Sequence, residues 1–214
     1  ITFNGEIYNF QEIRKKLRKK GYSFNSQTDT EVILYSYQEY GSDCLRLFNG
    51  DFAFAIWDSR RKELFLARDR IGIKPLYYYH KNEKFIFASE IKAILQHKDV
   101  KRAVNENCLK QIILYAYPIR EETLFEDIME LRPGHFLILK NNKIRIEKYW
   151  DLKINETNRT EDFYKKTVQH LLSESVKRRL IADVPLGISL SGGVDSSVLV
   201  AMASRHSKEP VKTF

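Results

Sequence analysis

The sequence predicts two architectures in tandem. Residues 1–150 read as an α+β domain of mixed, mostly antiparallel strands with helices, and residues 151–214 as the opening of a parallel α/β domain. Three observations carry this. Between Asp51 and His80 the apolar pattern has strand character (FAFAIWD, ELFLAR, PLYYYH), with helical segments on either side. Residues 151–160 (DLKINETNRT) then hold few large apolar side chains and read as a linker. Beyond them come an amphipathic helix, a short apolar strand, a glycine loop and a second helix, the order that opens a parallel sheet.

The elements follow from local signals. A short strand at Ile1 to Phe3 is expected to end in the Asn4-Gly5 pair. Asn9 with Glu12, and Thr28 with Glu31, have capping-box spacing and open helices to about Lys20 and Tyr40, the first stopped by Gly21. After the three β-patterned runs, Lys84 to Ala88 adds a strand, Glu90 starts a short helix, and Asn105 to Tyr115 forms another. HFLILK and IRIEKYW flank an Asn141-Asn142 turn. Tyr164, Val168, Leu171, Leu172 and Val176 share one face of a long helix. PLGISL is a strand, a helix begins at about Ser196, and VKTF starts a further strand.

Composition excludes several classes. Hydrophobic residues make up 43% of the 214 and aromatic residues 13%, enough to bury a core and too many for a disordered tail. Apolar runs fall short of the roughly 20 residues of a membrane span, and no charged-then-apolar signal segment opens the chain. Cys44 and Cys108 cannot build a disulfide framework and fit a reduced, cytoplasmic setting. The net charge of +8 is densest at Arg14, Lys15, Lys16, Arg18, Lys19 and Lys20, where Leu17 falls at helical spacing from Ile13. That run reads as a solvated helix face, so neither nucleic acid nor membrane is expected as a partner. The five histidines lack metal-ligand spacing. An opening at Ile1 and an ending in VKTF give the expectation of an interior piece of a longer protein.

Ser191-Gly192-Gly193-Val194-Asp195-Ser196-Ser197 sits between an apolar strand and a helix. Glycines let backbone approach a phosphate, and free N–H groups at the helix start attract anions. Ser191 and Ser196 add hydroxyls. Asp195 would repel a bare phosphate, which argues for a bridging Mg²⁺. There is no Walker lysine. The loop resembles the SGGxDS pyrophosphate loop of ATP α-hydrolase enzymes, which implies cleavage between the α and β phosphates.

Six further segments occur in order: FNGEIYNFQEIR from Phe3, TDTEVIL from Thr28, FNGDFAFAIWD from Phe48, ARDRIGIKPLYY from Ala67, FASEIKAI from Phe87 and LRPGH from Leu131. Ending in VPLGISLSGGVDSS, they resemble the glutamine-hydrolysing asparagine synthetase family. The resemblance implies an amino-terminal-nucleophile glutaminase sandwich (α/β/β/α) over 1–150, followed from 151 by the start of an adenine-nucleotide α-hydrolase-like synthetase domain. It implies an oxyanion hole at Asn4 and Gly5, and glutamine binding by Asn4, Gly5, Glu6 and Asp29. It also implies ATP contacts at Ser189, Leu190, Ser191, Gly192, Gly193, Asp195 and Ser196, with Mg²⁺ at Asp195.

In this family the nucleophile is an amino-terminal cysteine whose own α-amine is the base. Position 1 here is Ile1, and the internal Cys44 and Cys108 have no free amine, so the nucleophile is expected upstream and this chain is expected not to hydrolyse glutamine alone. The implied substrates are glutamine, aspartate and ATP, and the implied reaction yields asparagine, AMP and pyrophosphate. Two other readings stand beside it: amidation of another carboxylate, such as a sugar acid of a surface polysaccharide, and a catalytically inactive relative that binds nucleotide. A homodimer is compatible with the resemblance. Arg68, Asp69 and Arg70, beside a strand end, read as architecture.

Overall fold

A computed structural model describes every residue except Arg120 and Asp183. The chain divides into two compact units, Ile1–Leu152 and Lys153–Phe214.

The first unit opens with β1 (Thr2–Ile7), α1 (Phe10–Lys19) and α2 (Asp29–Tyr40), then a 3₁₀ turn at Gly41–Arg46. The long strand β2 (Gly50–Asp58), β3 (Glu63–Arg68), β4 (Tyr77–Lys81) and β5 (Lys84–Ala88) follow. Two helices, α3 (Ile91–Ile94) and α4 (Glu106–Tyr115), precede β6 (Ile128–Glu130), β7 (His135–Lys140) and β8 (Lys143–Lys148). Among the described residues of this unit the strands form two sheets, β1-β2-β3-β7-β8 and β5-β4-β6, each antiparallel throughout.

Side-chain alternation along β2 produces the layering. Phe52, Phe54 and Ile56 point to one face, where they pack with Ile13 and Leu17 of α1 and with Val32, Ile33 and Tyr37 of α2. Ala53 and Ala55 point to the other, where they and Leu66 and Leu137 meet Tyr78 of the smaller sheet and Leu76 and Leu131, which flank its strands β4 and β6. Alanines on that face leave room for the second sheet's larger side chains. The far side of the smaller sheet packs Tyr79 and Ile128 against Ile94 of α3 and Val100. The order is helices, sheet, sheet, helix. Aromatic rings run through the first core: Phe52 to Phe54 at 5.5 Å, Phe54 to Phe65 at 6.0 Å and Phe65 to Phe136 at 5.4 Å between centroids.

Two hairpins turn through left-handed pairs, the first of them the expected Asn141-Asn142. Asn141 and Asn142 hold φ of 49° and 57°, the left-handed pair of a two-residue turn between β7 and β8. Asn82 and Glu83 do the same between β4 and β5, with φ of 50° and 59°.

Several expectations are corrected. Strand β1 does not stop at Asn4-Gly5 but runs on to Ile7, with Asn4 opposite Ala53, Gly5 opposite Phe52 and Glu6 opposite Asp51. A Cβ on Gly5 would lie 2.0 Å from the Asp51 carbonyl oxygen, at a φ of +141°, so this glycine serves close strand approach rather than a turn. The capping boxes hold their positions but not their hydrogen bonds. Asn9 precedes α1, yet its Nδ2 donates to the Leu47 carbonyl and its Oδ1 accepts from the Asn49 N–H, both at 2.9 Å. Glu31 bypasses Thr28 and accepts from the N–H groups of Asn25 (2.9 Å) and Ser26 (2.8 Å) and from the Ser26 hydroxyl (2.6 Å). The Ser26 hydroxyl, then these amides, hold its carboxyl below the usual carboxylate value.

Arg14 does not share the solvated face of α1. It is 6% exposed, lies over the Phe10 and Phe24 rings, and donates to Gln27 and to the Thr28 carbonyl, both at 2.7 Å. The Arg68-Asp69 pair is structural. Arg68 donates to the carbonyls of Lys74, Gly72 and Leu131 and to the Glu130 carboxylate, tying the end of β3 to the smaller sheet.

The second unit holds α5 (Glu161–Arg179), β9 (Gly187–Ile188), α6 (Val194–His206) and β10 (Lys212–Thr213). Thr160 caps α5 by accepting the Phe163 N–H at 3.3 Å. Of the anticipated apolar face only Val176 is buried, while Val168 and Leu171 are 62% and 61% exposed. The strand in PLGISL is confined to Gly187–Ile188, and α6 begins two residues before Ser196. The β9 and β10 strands pair in parallel, Gly187 with Lys212 and Ile188 with Thr213. No helix of the described residues is long and apolar enough to cross a membrane.

Candidate functional site

Strand β1 places the first group of residues at the edge of the larger sheet. Asn4 and Glu6, two apart, share the face that also carries Ala53 and Asp51. Gly5 is fixed between them by its pairing with Phe52. Asp29, the first residue of α2, reaches the end of the same strand: its Oδ2 accepts the Ile7 N–H at 2.9 Å. The structure therefore brings Asn4, Gly5, Glu6 and Asp29 to one strand, with the start of α2 tied to it. A carboxamide nitrogen and a backbone N–H on consecutive residues can stabilise a developing oxyanion, and two carboxylates nearby suit an ammonium group.

Beside Asn4 opens a cavity of about 350 Å³, lined among others by Ala53, Ala55, Leu76, Phe87 and Ser89. Its polar contact is between sheets: Asn4 Nδ2 donates to Ser89 Oγ at 3.4 Å. Sequence reasoning quoted Ser89 within FASEIKAI but gave it no role, since its partner Asn4 lies 85 positions away. It likewise gave no role to Asp51, which faces Glu6 across the ladder and accepts the Tyr8 hydroxyl at 2.8 Å. The two cysteines are fully buried, and burial pushes both thiols up from their ordinary value, which disfavours the thiolate a nucleophile requires.

The second group lies in the other unit. Ser189 and Leu190 lead from β9 into Ser191-Gly192-Gly193, and Gly193 stands at the N-terminal cap of α6. Gly192 adopts φ of +79° with open space where a Cβ would be, so conformation rather than crowding calls for glycine. The first helical hydrogen bond runs from the Ser197 N–H to the Gly193 carbonyl at 3.1 Å. The N–H groups of Val194, Asp195 and Ser196 precede it and form the anion-attracting end of the helix. Ser191 and Ser196 hydroxyls lie 3.1 Å apart across the loop. Asp195 is exposed in the first turn. Among the described residues no group of three or more His, Cys, Asp and Glu could hold a metal. One carboxylate beside this glycine loop fits Mg²⁺, which takes few protein ligands and completes its shell with phosphate oxygens and water.

The comparisons fall on the same two segments. A family model described as a glutamine amidotransferase domain matches residues 1–150, and one described as asparagine synthase matches residues 167–214. Asparagine synthetase [glutamine-hydrolyzing] 3 of Bacillus subtilis is 41% identical over all of this chain and 36% of its own length. Asparagine synthetase [glutamine-hydrolyzing] 1 of the same organism is 37% identical, over all of this chain and 34% of its own length. Amidase chry2 of Gibberella zeae is 36% identical over 98% of this chain and 31% of its own length. The chain thus spans about a third of the curated relatives it matches. Since the matching domain takes in β1 through β8 and every residue gathered around Asn4, the chain belongs to the glutamine amidotransferase domain family.

Proposed function

We propose that this chain contributes most of a glutaminase domain (1–150) and the opening of an ATP-dependent synthetase domain (151–214) to a cytoplasmic, glutamine-dependent asparagine synthetase. At the first site an amino-terminal nucleophile from outside these residues attacks the glutamine side-chain carbonyl. Asn4 Nδ2 and the Gly5 N–H stabilise the oxyanion, while Glu6 and Asp29 hold the substrate's α-ammonium. Water then releases glutamate, so the net products are glutamate and ammonia. At the second site the Ser191 to Ser196 loop holds ATP as an aspartate carboxylate attacks the α phosphorus and pyrophosphate leaves. Ammonia displaces AMP from the aspartyl-adenylate to give asparagine. Mg²⁺ held through Asp195 would offset the phosphate charge. The fold assignments that accompany this reading are an amino-terminal-nucleophile sandwich and a nucleotide α-hydrolase-like start. The observation that carries it is the join on one chain of the Asn4-Gly5 strand and the SGGVDSS loop.

A second reading is amidation of a carboxylate other than aspartate; in its favour, a relative 36% identical over 98% of this chain is named an amidase and not an asparagine synthetase. Both readings share the first site. The test uses the full-length protein: glutamate release from glutamine, and aspartate-dependent pyrophosphate release. Asn4→Ala should cut glutamine hydrolysis by about 100-fold while ammonia-dependent synthesis continues. Equal loss of both activities would reduce Asn4 to a folding residue, and pyrophosphate release that ignores aspartate would favour the second reading.

A further inference from the structure

We infer that Ser89 is a positioning residue for the Asn4 carboxamide, anchoring its Nδ2 and the amide plane beside the glutamine carbonyl. This rests on the glutaminase reading of the Asn4 site. Asn4 is placed by the larger sheet, through its pairing with Ala53. Ser89 is placed by the smaller one, since it directly follows Ala88, which pairs with Tyr77, and precedes Glu90, the N-terminal cap of α3. The hydrogen bond from Asn4 Nδ2 to Ser89 Oγ, 3.4 Å long, therefore joins the two sheets beside the 350 Å³ cavity.

A carboxamide has two N–H bonds and needs only one for an oxyanion. Its terminal torsion is broad and nearly two-fold, so an unrestrained Asn4 would present Oδ1 about as readily as Nδ2. An oxygen in that place repels the negative charge that develops on the substrate. By accepting one N–H, Ser89 restrains the amide plane, and the second N–H of the same nitrogen is the one the oxyanion would take. At 3.4 Å the contact is long for an N–H···O bond, so it orients the amide more than it binds it. Ser89 touches no reacting atom. Its effect passes through Asn4 and appears where charge appears, in the transition state.

The experiment is a double-mutant cycle on glutamine hydrolysis by the full-length protein. Ser89→Ala should lower kcat about tenfold, short of the ~100-fold expected for removing the donor itself, with glutamine KM within about twofold. Ser89→Thr keeps the hydroxyl and should restore most of the rate. In an Asn4→Ala background, Ser89→Ala should cost nothing further. An unchanged kcat in Ser89→Ala overturns the inference alone, as does a tenfold loss that persists without the Asn4 side chain. A loss accompanied by a lower unfolding temperature and not rescued by threonine overturns it as well, by showing a packing role. An Asn4→Ala variant with full glutaminase activity overturns the glutaminase reading and this inference together.

Discussion

The Asp69 carboxylate accepts the backbone N–H of Phe52 at 3.2 Å, and Phe52 is the residue that pairs with Gly5. One buried side chain thereby links the turn after β3 to the strand backing the candidate oxyanion position. Its Oδ1 also accepts from Ile71 (3.1 Å), Gly72 (2.6 Å) and Ile73 (3.0 Å), and its Oδ2 from Lys74 (2.9 Å). Asp69 is 1% exposed, so these donors have no easy recourse to water.

Asp69→Asn should therefore loosen this turn severely. An amide offers one acceptor oxygen where the carboxylate offers two, and its own N–H groups would face backbone donors. The expected loss is about 3 kcal/mol in the free energy of local opening, from weakened charge-assisted bonds and stranded N–H groups. Hydrogen exchange at the amides of Ile71 to Lys74 measures it. Protection equal to the parent's would show that the turn is held by its chain path instead.

How much of this was legible in the sequence depends on range. Helix starts at Asn9, Thr28, Glu90 and Asn105, and the Asn141-Asn142 hairpin, follow from short-range rules and stand at those positions. The capping hydrogen bonds of Asn9 and Glu31 did not follow, because each side chain found a tertiary or loop partner instead. Asn4-Gly5 reads locally as a turn; only the Asp51 carbonyl approaching from β2 makes it mid-strand. Strand β6 is three residues long, too short for alternation to register. The site divides the same way. Asn4, Gly5, Glu6 and Asp29 were given roles by a resemblance, whereas Ser89 and Asp51, which stand inside the FASEIKAI and FNGDFAFAIWD segments without a role, meet them only through sheet packing and register.

Tyr37 should give the fold a measurable alkaline limit. Burial, then the nearby Glu63 charge, pushes its phenol up from 10.0 to about 12, and the hydroxyl donates to Glu63 Oε1 at 3.3 Å. The fold favours the neutral phenol. Its contribution is complete below the ordinary value of 10.0 and is lost as pH rises through that value toward about 12. Denaturation midpoints of the parent should thus fall more steeply between pH 10 and 12 than those of Tyr37→Phe, which has no proton to lose there. Parallel curves for the two proteins would place Tyr37 in a solvated setting.

Asp195→Asn tests the second site. Asparagine is nearly isosteric and preserves the first turn of α6, but it removes the charge proposed to hold Mg²⁺ beside the phosphates. In the full-length protein the ATP KM for synthesis should rise about tenfold or more, equivalent to ~1.4 kcal/mol of lost binding. Glutamine hydrolysis should stay within about twofold of the parent, because Asn4, Gly5, Glu6 and Asp29 belong to the other compact unit. Raising free Mg²⁺ should recover part of the ATP affinity by mass action if the metal is the missing link. Unchanged synthesis kinetics would remove Asp195 from the site. An increase in ATP KM that no Mg²⁺ concentration relieves would assign the carboxylate to shaping the Ser191 to Ser196 loop rather than to holding the ion.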